Sequence, residues 1–183
     1  MAIQLDDKEL LDQFRSEQTK EQAFTKIIQK YQERLYWHIR RMVIGHEDAN
    51  DVLQNMFIKV WKNLHNFRED SQLFTWLYRI ATNESLTYLQ QQKKRMAYSL
   101  SDDESPLINK IKADEHFDSQ RLEWKLQLAI QKLPEKQRTV FNLRYFEEMP
   151  YEEMSRVLET SEGALKASYH HAVKKIEEFI KNR

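Results

Sequence analysis

Residues 150–176 read PYEEMSRVLETSEGALKASYHHAVKKI, and the order of their parts decides how the chain folds. Pro150 suits the first turn of a short helix, Thr160, Ser161 and Gly163 supply a break, and a longer apolar periodicity follows, which is helix-turn-helix order. In the second helix Leu165, Tyr169, Ala172, Ile176 and Phe179 advance by four and three residues, so they form one buried stripe facing Met154, Val157 and Leu158. The same stepping sends Lys166, Ala167, His170, His171 and Lys174 to the opposite, solvent-facing edge. Thr160 or Ser161 can cap the helix start. Small residues, Gly163, Ala164 and Ala167, would let it lie close in a major groove, so this edge is a candidate DNA reader, set against an ordinary solvated face. His170 and His171 are sequence neighbours that project differently, which argues against a shared metal site.

Outward from this motif, the composition agrees with helices throughout. Only 2 Gly and 3 Pro occur in 183 residues, too few for a hairpin-rich fold, and the absence of Cys excludes disulfide frameworks and thiolate metal sites. No apolar stretch reaches membrane-spanning length and no secretory signal opens the chain, so no membrane insertion and a cytoplasmic location are expected. The spacing of Phe24, Ile27, Ile28, Tyr31, Leu35, Ile39 and Met42 predicts a first long helix, with Gly45 permitting the reversal. Val52, Leu53, Met56, Phe57, Val60, Trp61 and Leu64 predict a second, whose other face carries Asp51, Gln54, Asn55, Lys59 and Lys62. A third runs from about Leu73 to Gln92 and closes on Lys93, Lys94 and Arg95.

Periodicity fades from Met96 to Ser119, where Asp102, Asp103, Glu104, Asp114, Glu115 and Asp118 face only Lys110 and Lys112. This is the pattern of a linker between independently packed domains, and it leaves both flanks mildly basic under a formal net charge of zero. The expected fold is all-α: a helical bundle over 1–95, an acidic linker over 96–119, and a helix-turn-helix domain over 120–183. The linker's carboxylates are candidates for holding the domains folded over their basic faces.

In the first domain, FREDSQLFTWLYRIATN (67–83) places Phe74, Trp76 and Tyr78 on a helix whose core stripe is Leu73, Leu77, Ile80 and Ala81. Such a stripe cannot bury all three rings. They either stack on unpaired bases beside Arg68 and Arg79, or, as the more economical reading, pack on a second partner such as Phe24, Tyr36 and Trp37.

Three segments, HEDANDVLQNMFIKVWKNL (46–64), FREDSQLFTWLYRIATN (67–83) and LPEKQRTVFNLRYFEEMPYEEMSRVLETSEGALKASYHHAVKKI (133–176), resemble in order and spacing bacterial RNA polymerase sigma factors of the extracytoplasmic-function (ECF) group. The resemblance implies a region-two-type domain and a region-four-type domain. It implies core RNA polymerase contacts at Asp51, Gln54 and Phe57. Minus-ten DNA contacts would fall on Phe67, Arg68, Glu69, Asp70, Ser71, Gln72, Trp76, Arg79 and Asn83, and minus-thirty-five contacts on Lys166, Ala167, His170, His171 and Lys174. Asn55 stands where the family commonly has an acid, and Thr87 and Gln90 to Gln92 replace its usual Asp and Arg. Promoter DNA, core polymerase and an anti-sigma factor are the implied partners, with no cofactor, no metal and no catalytic residue. A stand-alone helix-turn-helix regulator with a sensing or dimerisation domain is the alternative; it predicts DNA binding without polymerase.

Overall fold

A computed structural model describes residues 6–97, 108, 111–112 and 121–182, and among these the chain is helical with no strand. Helix α1 (Asp7–Arg15) has no counterpart in the sequence expectation. It begins with a capping box, Asp6 accepting from the Lys8 amide while the Glu9 carboxylate accepts from the Asp6 amide. Leu10, Leu11 and Phe14 then bury its inner side. Helix α2 (Lys20–Val43) and helix α3 (His46–Asn63) follow, the latter closing in a 3-10 turn, Leu64–Asn66. Helix α4 (Leu73–Ala97) runs slightly past the expected domain end. The aromatic cluster Phe14, Phe24, Phe57 and Trp61 joins α1 to α2 and α3 through edge-on contacts.

The reversal between α2 and α3 differs from expectation in its detail. Positive φ falls on Ile44 (68°), a β-branched residue for which that region is unfavourable, whereas Gly45 has an ordinary φ of −65°. A Cβ at 45 would meet the Asp48 carboxylate, so any larger residue there would have to displace that side chain.

The second domain contains α5 (Leu122–Gln131), α6 (Glu135–Tyr145), α7 (Tyr151–Leu158) and α8 (Glu162–Lys181). Pro134 and Pro150 precede α6 and α7 as expected of helix starts. The two domains do not pack independently. Val140, Leu143, Met149, Met154, Val157 and Leu165 join the apolar core of α1–α4, while Ala129, Ile130, Leu133, Phe141, Ala172 and Ile176 form a smaller core of their own. The physical reason is that α7 lays one apolar side on α8 and another on α4. The acidic residues expected to fold the domains together, Asp102, Asp103, Glu104, Asp114, Glu115 and Asp118, lie outside the described residues. Within the same stretch Ile108 and Ile111 are buried beside Ile44 and Leu128.

Candidate nucleic-acid interface

Helix α8 starts at Ser161, whose hydroxyl accepts from the Ala164 amide at 3.4 Å. Its stripe faces inward, with Leu165, Ala172 and Ile176 buried and the Tyr169 ring stacked on Phe141 at 5.8 Å and 16°. Lys166, Ala167, His170, His171 and Lys174 are all exposed along the opposite edge. Lys166 is held loosely, its amine 3.5 Å from Glu162 and 5.5 Å from the centre of the Tyr151 ring. A surface pair of that kind is worth little, so the amine is free to move to an acceptor on a base or phosphate. Among the described residues no group of His, Asp and Glu is arranged to hold a metal ion.

The expected minus-ten residues divide among several surroundings. Phe67 is buried and props Trp76 from below, ring centres 5.3 Å apart. Glu69 adopts φ 59° and accepts from Arg15 of α1 at 2.5 Å, so the loop 67–72 is tied to a helix absent from the sequence reading. Trp76 and Asn83 line one open groove of about 570 Å³ together with Lys59, Asn63, Asn66, Ile80, Glu84 and Thr87. Asp70, Ser71, Trp76 and Arg79 line a smaller cleft with Thr75 and Arg156. Trp76 is thus the ridge between two recesses, half-buried and with its aromatic surface available to a base. Gln72 and Arg68 are exposed. Of the groove residues Lys59, Asn63 and Asn66, helical spacing marks only Lys59, as part of a polar helix face; the 3-10 turn that brings in Asn66 leaves no periodic trace.

Of the other two rings, Tyr78 is fully buried and lies against His38 at 5.0 Å, and Phe74 packs on Tyr78 at 4.4 Å with Arg34 over its face at 5.0 Å. A second packing partner therefore takes them, but it is His38 and the second domain in place of Phe24, Tyr36 and Trp37. Burial and the neighbouring Glu147 carboxylate push the Tyr78 hydroxyl well above the usual tyrosine range, so it stays a donor.

Helix α3 presents Asp51, Gln54 and Asn55 to solvent. Phe57 is turned the other way, its ring edge-on to Phe24 at 6.3 Å, which removes it from the exposed face. The apolar residue standing there is Ile58, 46% exposed and one turn beyond Gln54.

Outward basic and histidine side chains on α8, an aromatic ridge over polar grooves on α4, and a polar helix face on α3 define the exposed surfaces of a two-domain, helix-turn-helix protein. Residues 27–95 match the family described as Sigma-70 region 2 and residues 123–176 match Sigma-70, region 4. The RNA polymerase sigma-H factor of Pseudomonas aeruginosa is 31% identical over 98% of this chain and 96% of its own length. The ECF RNA polymerase sigma-E factor of Haemophilus influenzae is 30% identical over 98% of each. The chain belongs to the sigma-70 family, in its ECF group. The same fold occurs in the sigma factor RpoE of Bartonella quintana, solved with the anti-sigma factor NepR: TM-score 0.69, 19% identity, 86% of this chain and 96% of that one.

Proposed function

We propose that the chain is the promoter-specificity subunit of a bacterial RNA polymerase, working in the cytoplasm and making or breaking no covalent bond itself. The observation that supports it most directly is the outward edge Lys166, Ala167, His170, His171 and Lys174, exposed on the second helix of a helix-turn-helix. That edge reads the minus-thirty-five element as duplex. Lysine donates to guanine edges and a neutral histidine donates or accepts, so its preferred site differs from that of an arginine-rich helix. Trp76, Asn83 and the loop 67–72 engage the opened minus-ten strand, Trp76 by stacking and Arg79 by charge. Asp51, Gln54 and Ile58 face core polymerase. By analogy with the Bartonella protein, an anti-sigma factor is the regulating partner.

The test is run-off transcription from a genomic promoter library with core polymerase plus this chain. Promoter-specific starts are expected, together with weak binding of the chain alone to the same fragments. Lys166→Ala with His170→Ala should shift start-site usage, because good base contacts are worth ~1–3 kcal/mol each. Tight, sequence-specific binding without polymerase, and no directed start with it, would favour a stand-alone regulator.

A further inference from the structure

The loop 67–72 hangs between two fixed points. Phe67 is buried at its start, and at its end the Gln72 carbonyl accepts from the Trp76 amide at 3.2 Å as α4 begins. Between them Glu69 holds φ 59°, a left-handed conformation that crowds a residue carrying a Cβ and persists where its surroundings hold it. Among the described residues, Glu69 alone of the side chains at 68–71 has a hydrogen-bond or ion-pair partner. That partner is Arg15, 2.5 Å away and 54 positions earlier in the chain.

Arg15 is itself held in place. Its other terminal nitrogen donates to Asp12, one turn back, at 3.0 Å. Near the start of α1, Asp7 accepts from the Tyr31 hydroxyl at 2.7 Å and from Lys30 at 2.8 Å, both on α2. Near its end, the Gln13 carbonyl accepts from the Thr19 hydroxyl at 2.7 Å, and the Phe14 ring lies edge-on to Trp61 of α3. An exposed ion pair adds little to stability, but a guanidinium on a helix fastened at both ends can select one conformation of a loop.

We propose that Arg15 is a positioning residue for minus-ten recognition: acting through Glu69, it fixes the loop 67–72 beside Trp76, so that α1 sets how strictly the opened strand is read without touching it. The inference rests on the proposed minus-ten role of the loop. Helix α1 and the loop face each other across a cleft of about 370 Å³, with Asp6, Asp7 and Lys8 on one side and Phe67, Ser71 and Gln72 on the other. The loop therefore has room to swing once the pair is broken. Ser71 also lines the opposite cleft with Asp70, Trp76 and Arg79, so a swing toward α1 carries the loop away from the ring and guanidinium that meet the strand. Charge acts in the same sense. The loop brings Glu69 and Asp70 near a polyanion, and Arg15 draws one of these carboxylates toward α1 and offsets its charge.

The test remakes a promoter selected by the wild-type chain with each base at every minus-ten position and compares open-complex formation with core polymerase. Arg15→Ala should reduce discrimination between best and worst base at one or more of these positions by at least about fivefold, the scale of coupling within one network. Preference at the minus-thirty-five element should be unchanged, and the melting temperature should move by no more than about 2 °C. Arg15→Lys, which keeps the charge, should recover part of the discrimination. Glu69→Gln should reproduce the loss, and Arg15→Ala added to it should cost nothing more. Specific starts by the wild-type chain secure the sigma reading on their own; given them, undiminished discrimination in Arg15→Ala overturns the positioning role alone. Losses that multiply in the double variant overturn it too, because an arginine that touches a phosphate directly acts independently of Glu69. In the free chain, without polymerase, cleavage after Glu69 by a glutamate-specific protease should be at least about fivefold faster in Arg15→Ala than in wild type, as for a loop released from its tether. Equal cleavage rates would overturn the proposal whatever the transcription assay returns.

Discussion

His38 lies wholly inside the protein, its Nε2 2.9 Å from the Thr82 hydroxyl and its Nδ1 without a hydrogen-bond partner. Burial first, and the positive charge of Arg41 second, lower its pKa from 6.5 to about 3. The sign of the linkage follows: below pH 6.5 the unfolded chain takes up a proton that the folded chain refuses until about pH 3, so stability falls as pH falls through that window. From pH 6.5 to pH 5 the loss is about 2 kcal/mol, at 1.36 kcal/mol per unit. In urea titrations at pH 7 and pH 5, His38→Gln should be less stable at neutral pH, yet lose about 2 kcal/mol less than wild type on acidification. Parallel losses in the two proteins would assign the acid sensitivity elsewhere. The ring also backs Tyr78, and through it Glu147, so an internal histidine supports the surface on which the second domain sits.

Helix α3 illustrates how far an element can be read from its residues alone. The buried stripe Val52, Met56, Val60 and the solvated Asp51 and Gln54 follow from helical spacing and hold in the structure. The same spacing puts Met56 and Phe57 in the stripe and leaves Ile58 out of it, as the structure has them, so the polymerase contact that the family resemblance implies at Phe57 conflicts with the helix's own periodicity. Phe57 meets Phe24 edge-on inside the bundle, leaving Ile58 outside. Ile58→Asp should therefore leave the melting temperature nearly unchanged, within about 0.5 kcal/mol of stability, as for an ordinary surface site. If the α3 face meets polymerase, the same change should weaken binding to core enzyme by at least roughly thirtyfold, the ≥ 2 kcal/mol of an interface hot spot. Phe57→Ala should do the converse, costing about 3–5 kcal/mol of fold stability. Circular-dichroism melts paired with core-binding titrations separate the two; unaltered core affinity in Ile58→Asp would remove this face from the interface. Helix α1 escaped the sequence reading for a different reason. At nine residues it is too short for a periodicity to stand out, although the Asp6 and Glu9 capping pair announces its start.

At the scale of the whole molecule, the sequence divides the chain by charge and composition, but the apolar core ignores that division. Leu143 is fully buried in the second domain's α6 and belongs to the cluster built by α1–α4, as do Met149, Met154 and Val157. No periodicity within one domain can announce which of its apolar residues will face the other domain, because a stripe on α7 looks the same whether α4 or solvent lies beyond it. Sharing a core has a thermodynamic consequence: unfolding either half exposes apolar surface of the other, so the closed chain should melt in one cooperative transition. Tryptophan signals report on both halves, since Trp37, Trp61 and Trp76 lie in the first and Trp124 in the second. Single-tryptophan variants retaining Trp61 or Trp124 should give coincident melting curves. Leu143→Ala, at a cost of about 2–5 kcal/mol, should move both curves down together by roughly 5–15 °C. If only the Trp124 curve moved, the second domain would be unfolding by itself. The shared core would then contribute nothing to cohesion, and the contacts of Glu147, Glu153 and Glu159 would have to hold the halves together unaided.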